Sequence, residues 1–342
     1  MITELIILIG GLILLIKGSD YFVKSAAAIA KNLGVSEFVI GLTLIALGTS
    51  LPELVSAIFA SLEHQSGLVM GNIIGANIAN IGLIIGIAAV VSVIRTKREM
   101  IERDGYILLF SSMLLVVFLF NKTLSRFEGL IFLSMYLGYI IFLIEEKQEL
   151  KDKYHFKGFL RYFLKLGHFN YIKNKIYNNN KSNKKNSKTS KTEIIKNLFI
   201  LIFGGLAIIV GANYLVKEAV FFANSLKVPQ TIIGILISIG TTMPEMSVAI
   251  TAVRKGYGNI TVGNALGSCI TNLLLVLGLA AVISPLAITN LTLFYTVPIM
   301  IVIIILLLWF IKSNWKITRK EGIVFLILYI AFLLFALSMI HG

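Results

Sequence analysis

The chain has 342 residues, 57% of them hydrophobic and only 14% charged, with a mean hydropathy of +0.89. That composition excludes an ordinary soluble domain and marks a polytopic membrane protein. The net charge of +14 does not call for nucleic acid, because the basic residues gather on one side of the apolar runs.

Runs long enough to cross the hydrocarbon, about 20 residues each, are read at 2–31, 35–62, 68–94, 105–120, 127–144, 197–223, 229–254, 258–283, 291–311 and 321–340. The expected fold is an all-α membrane protein of ten transmembrane helices. Five form the first half (1–144) and five the second (197–342), with a basic insert (145–196) between them. If both termini lie outside the cell membrane, 27 of the 31 Lys and Arg residues fall on the cytoplasmic side, insert included. This positive-inside bias fixes the expected orientation. The first run lacks a basic leader and an evident cleavage site, so it reads as a retained helix. A lone Cys269 excludes an internal disulfide, and four histidines at helix ends or in loops offer no zinc cluster.

The first helix ends in Lys17-Gly18-Ser19-Asp20-Tyr21-Phe22-Val23-Lys24. The second carries Gly48-Thr49-Ser50-Leu51-Pro52-Glu53-Leu54, and the third opens on Gly71-Asn72-Ile73-Ile74-Gly75-Ala76-Asn77-Ile78-Ala79-Asn80. The second half repeats this order with Val210 to Lys217, then Gly240-Thr241-Thr242-Met243-Pro244-Glu245-Met246, then Gly263-Asn264 through Asn272. Glu53 to Asn80 and Glu245 to Asn272 are both 27 steps. Five helices per half is an odd number, so the second copy enters from the opposite side and the repeats are inverted. That plan puts a ligand site near the midplane, where the copies meet.

In the insert, Lys157, Arg161 and Lys165 share one helical face, while Phe156, Phe159, Leu160 and Phe163 share another. This reads as a helix lying on an anionic membrane surface. The Asn-, Lys- and Ser-rich stretch from Asn178 to Lys191 has too little apolar area to fold. Its bland reading is a solvated linker.

Of 17 acidic residues, only Glu53 and Glu245 lie deep within an apolar run. A carboxylate there is costly and persists mainly where it faces a cavity and binds something. Pro52 and Pro244 remove helix hydrogen bonds and are expected to free the carbonyls of Gly48 and Gly240. The candidate ligands are therefore all oxygen: Glu53, Glu245, the hydroxyls of Thr49 and Thr241, loosened carbonyls, and the side chains of Asn80 and Asn272. Hard cations such as Ca2+ suit that set better than soft metals. Two ionised glutamates balance one divalent ion, and without it their repulsion recruits monovalent cations or protons. Glycines at 71, 75, 82, 86, 263, 267 and 278 suit close approach of the third and eighth helices to the glutamate helices.

The paired Gly-Thr-Ser/Thr-x-Pro-Glu stretches, each followed by Gly-Asn-x-x-Gly-x-x-x-x-Asn, resemble the α-repeats of the cation/Ca2+ exchanger superfamily, in particular its prokaryotic sodium/calcium exchangers. The resemblance covers both five-helix halves and leaves out the insert. It implies a Na+/Ca2+ antiporter, not an enzyme, with both ions as cargo and no organic cofactor. It also implies alternating access in which the first and sixth helices slide across a rigid core. By resemblance, Glu53, Glu245, Thr49 and Thr241 hold Ca2+. Sodium sites add the carbonyls of Ala46 and Ser238, with Ser268, Asn80 and Asn272, and the hydroxyls of Ser50 and Thr242 complete the set. Three residues depart from the family pattern. Ala76 stands where Ser is usual and removes an inner sodium ligand, Asn272 stands where some relatives have Asp, and Thr242 replaces Ser but keeps the hydroxyl. A monomer in lipid is expected. The alternatives are a proton-coupled divalent antiporter, against which the asparagines on the third and eighth helices argue, a passive channel, and an intramembrane hydrolase, for which no nucleophile arrangement is present.

Overall fold

The computed structural model describes residues 2–32, 46–96, 98, 100–149, 156–164, 191–254, 256 and 258–339. The first half comprises α1 (Ile2–Asn32), α2 (Ala46–Thr49), α3 (Leu51–Leu62) and α4 (Ser66–Val91), then α5 (Met100–Phe118) and α6 (Arg126–Glu149). A short helix, α7 (Phe156–Leu164), follows. The second half comprises α8 (Lys191–Ser225), α9 (Gln230–Thr241), α10 (Met243–Arg254), α11 (Gly258–Ile283), α12 (Thr292–Asn314) and α13 (Arg319–Ser338).

Eight of these helices, α1, α4, α5, α6, α8, α11, α12 and α13, are long and apolar enough to cross a membrane. Helices α9 and α10 make a ninth span if counted as one, bent by 41° at its break. The expected span 35–62 is represented by α2 and the 12-residue α3; residues 33–45 lie outside the described part.

Burial separates the helices into centre and rim. In α4, 83% of the most apolar window is buried, and in α11 72%, against 22% in α1 and 28% in α13. The reason is legible in composition: α4 and α11 are apolar or small on every face, as a helix surrounded by protein must be. Gly234 of α9 packs onto the backbone of α4, where an added Cβ would sit 2.6 Å from Leu68 O and 2.7 Å from Asn72 N. Gly71 and Gly75 make the reciprocal contact with α9 as expected. Gly86 instead meets α13 at Gly322, and Gly278 meets α6 at Gly129, while Gly267 has nothing within 4 Å. Gly86 and Gly278 therefore serve other neighbours than the glutamate helices. The rim pair α1 and α8 runs antiparallel along a glycine seam, Gly11 against Gly211 and Gly18 against Gly204. Small residues let two membrane helices approach this closely.

Two antiparallel ladders of two residues each were not expected of an all-α chain. β1 (Ile94–Arg95) pairs with β4 (Lys316–Ile317), and β2 (Thr123–Leu124) pairs with β3 (Leu286–Ala287). Adding 192 to Ile94 gives Leu286, and adding 193 to Leu124 gives Ile317, so each ladder joins one half of the chain to the other. The same shift relates the capping boxes that begin α6 and α13. Ser125 N donates to Glu128 Oε2 at 2.7 Å, as Thr318 N does to Glu321 Oε2.

Helix α7 turns its aromatic face to protein. Phe159 is fully buried, with its ring 5.8 Å from that of Phe142, and Phe156 lies 5.6 Å from Phe110. The face expected to lie on a membrane surface is instead packed against α5 and α6. The side chains of Lys157, Arg161 and Lys165, and the stretch Asn178–Lys191 but for its last residue, are outside the described part.

Candidate functional site

Each acidic motif breaks its helix one residue before the segment that carries the proline. Ser50 (φ −87°, ψ 8°) separates α2 from α3, and Thr242 (φ −82°, ψ 4°) separates α9 from α10. Pro52 and Pro244 are the second residues of α3 and α10. They do not kink a continuous helix; they start a new one, where a missing N–H costs nothing. Glu53 and Glu245 consequently occupy the first turns of α3 and α10, at helix ends whose dipoles favour negative charge.

The fold brings the two motifs together. Glu53 and Glu245 are 0% and 1% exposed and lie within electrostatic reach of each other. Around Glu245, the Ser50 and Ser268 hydroxyls each donate to Oε1 at 3.4 Å, and Thr49 faces the same carboxylate. Thr241 lies beside Glu53 but directs its hydroxyl to Asn72 Oδ1 at 3.3 Å. Thr242 does not join the group. Its hydroxyl turns back to Ser238 O at 2.8 Å, and its N–H donates to the same carbonyl at 3.1 Å. Ala46 is the first residue of α2.

Asn80 and Asn272 sit on wide π-type turns inside the central helices, at Ala79–Ile85 of α4 and Asn272–Val276 of α11. Such turns frequently mark functional sites. Among the described buried atoms, Glu53 Oε1 and Oε2, Glu245 Oε2, Asn80 Oδ1 and Asn272 Oδ1 have no hydrogen-bond partner. An orphaned buried polar atom costs about 1–3 kcal/mol, more if charged. The helix of Glu245 packs on the wide turn of Asn80 and the helix of Glu53 on that of Asn272, so these five acceptor oxygens, with two helix ends behind the carboxylates, offer a donor set for a hard cation.

Two residues of the site's support, Asn72 and Asn77, were not singled out from sequence. Asn72 bridges the halves, donating from Nδ2 to Ser56 Oγ at 2.9 Å while accepting from Thr241. Asn77 accepts from Asn272 Nδ2 at 3.1 Å. The available signal was amide and hydroxyl residues inside an otherwise apolar run. Beside the site, a cavity of about 240 Å3 opens between α1 and the two helix breaks; Asp20 and Lys24 stand on its wall with Thr49 and Pro244. On the α8 side, a crevice at Ser56, Asn72, Leu215 and Val216 holds only about 10 Å3.

A family model described as sodium/calcium exchanger protein matches residues 3–145 and again 196–338. The sodium/calcium exchanger MaX1 of Methanosarcina acetivorans is 47% identical over 344 aligned positions, spanning 97% of this chain and 98% of the relative. The uncharacterized membrane protein MJ0091 of Methanocaldococcus jannaschii is 33% identical, over 94% of this chain and 93% of its own. A solved structure of the sodium-calcium exchanger NCX_Mj, soaked with Na+ and no Ca2+, is similar with a TM-score of 0.60 at 29% identity, covering 96% of this chain and 97% of that one.

Proposed function

Since the chain belongs to the sodium/calcium exchanger family, we propose that it is a secondary-active antiporter that moves Ca2+ against Na+ across the cell membrane. The observation that carries this reading is the set of five unpartnered, buried acceptor oxygens contributed by both halves of the chain on segments that pack together. Glu53 and Glu245 supply two negative charges, which one divalent ion neutralises and which sodium ions compete to neutralise. Thr49 and Thr241 complete the calcium shell. Asn80, Asn272, Ser268 and Ser50 serve sodium together with the carbonyls of Ala46 and Ser238. Thr242 holds Ser238 in place instead of offering its hydroxyl.

The fold contributes ten spans in two inverted five-helix repeats. The two crossed ladders and the two glycine crossings, related by a shift of 192 or 193 residues, support that symmetry. Both termini are outside and the insert is cytoplasmic, as the distribution of Lys and Arg favours. Alternating access draws support from the unequal cavities: about 240 Å3 on the α1 side, against about 10 Å3 on the α8 side, at or below the room one water needs.

Calcium-45 uptake into sodium-loaded proteoliposomes is the test. Uptake should require the outward Na+ gradient, persist when a K+ or proton gradient is cancelled, and vanish in Glu53→Gln and Glu245→Gln. Uptake that continues under a pH gradient without Na+ would transfer the assignment to proton coupling. Uptake unaffected by either substitution would refute the site.

A further inference from the structure

The cavity on the α1 side is lined by Ser19, Asp20, Lys24, Thr49, Pro244 and Val248, among others. Its inner wall is thus part of the ion site, since Thr49 faces Glu245. Its outer wall carries the pair Asp20 and Lys24, one helical turn apart, with Nζ 4.0 Å from Oδ2. Their side chains are 45% and 75% exposed, and an ion pair so open to solvent contributes little, about 0–1 kcal/mol. A tethered ammonium held this loosely is readily displaced by a free cation.

The repeat gives an internal comparison. A shift of 193 carries Lys24 to Lys217 and Tyr21 to Tyr214, but carries Asp20 to Asn213. The lysine is present on both rim helices; an acid one turn before it stands on α1 alone, while α8 has Asn213 there and Glu218 just after its lysine. Charge at this position therefore distinguishes one mouth of the transporter from the other.

We propose that Asp20 is a docking carboxylate for divalent cations at the cytoplasmic mouth, with Lys24 as the exchangeable placeholder that occupies it between ions. This rests on the antiport reading and on the orientation given above. A unit charge about 6 Å from a passing Ca2+ changes its local occupancy roughly tenfold at low salt and about threefold at physiological ionic strength, and the effect on Na+ is about the square root of each. Asp20 accordingly favours calcium over sodium on one side of the membrane by valence alone.

The test compares Asp20→Asn, Lys24→Gln and the double substitution in inside-out and right-side-out vesicles. The KM for cytoplasmic Ca2+ should rise roughly tenfold at low salt in Asp20→Asn and fall in Lys24→Gln, while the double variant returns toward wild type. Raising the salt to physiological ionic strength should shrink each shift to about threefold, and the KM measured from the external side should not follow. A purely structural role for Asp20 would give neither the sign reversal nor the salt dependence. Wild-type exchange with no side-specific shift in any variant overturns the docking assignment and leaves antiport standing. If the wild type itself shows no sodium-driven flux, the antiport reading falls and this proposal with it.

Discussion

Replacing Gly234 by alanine places a methyl group 2.6 Å from Leu68 O, 2.7 Å from Asn72 N and 2.9 Å from Gly71 Cα. All three atoms belong to the α4 backbone, so no rotamer change relieves the clash. Ordinary contact begins at 3.4 Å, and 3.4 minus 2.6 leaves 0.8 Å by which α9 must separate from α4. Overpacking of this kind costs about 1–3 kcal/mol. It also moves the helix that ends in Thr241 away from the helix that carries Asn72. The expected result is a melting temperature lower by several degrees in detergent, on the scale of about 2–4 °C per kcal/mol for large domains, with reduced sodium-driven calcium flux. Gly267→Ala is the matched control, since nothing lies within 4 Å of its added methyl. It should melt at or slightly above wild type, because alanine is the better helix former by about 1 kcal/mol. Equal melting temperatures for the two variants would show that the α4 and α9 contact is not the close packing described.

Asn72→Ala removes the bridge between Ser56 and Thr241 and should weaken calcium binding roughly tenfold, as loss of a ligand's supporting partner does. Calcium-dependent thermal stabilisation measures it, and an unshifted titration would count against the bridge. Phe159→Ala deletes a fully buried ring from the contact of α7 with α6, a loss of about 3–5 kcal/mol where the site is well packed. Limited proteolysis should then cut near α7 sooner than in wild type; identical cleavage would mean that the docking contributes nothing.

The part of the site that was legible in the sequence is the part that had to violate composition. Two carboxylates in apolar runs, each beside proline and hydroxyls and each 27 residues before an asparagine, leave few physical explanations. Eight of the expected spans, and a ninth if α9 and α10 count as one, were legible for the same reason, since hydrocarbon demands long apolar helices. What escaped depends on contacts between distant residues. Pro52 and Pro244 announce a disturbed helix, but whether they bend one helix or begin another depends on the residue before them adopting a turn. The wide turns holding Asn80 and Asn272 carry no proline and no break in hydropathy beyond the asparagines themselves, so a one-residue slip in hydrogen bonding leaves no compositional trace. The ladders of β1 with β4 and β2 with β3 are two residues long, too short for alternation to register. The aromatic face of α7 was read as lipid-facing because an apolar stripe is the same on a membrane and on a neighbouring helix.

The glycine seam between α1 and α8 bears on leakage. Under the alternating-access reading proposed above, helices meshed backbone to backbone at Gly11 with Gly211 and at Gly18 with Gly204 would travel as one part, so a push that uncovers one aqueous route would carry the partner helix across the other. Uncovering both routes together would short-circuit the gradients that drive the cycle, and it would require the seam to be torn apart. Coupling fidelity, on this view, resides in four residues without side chains.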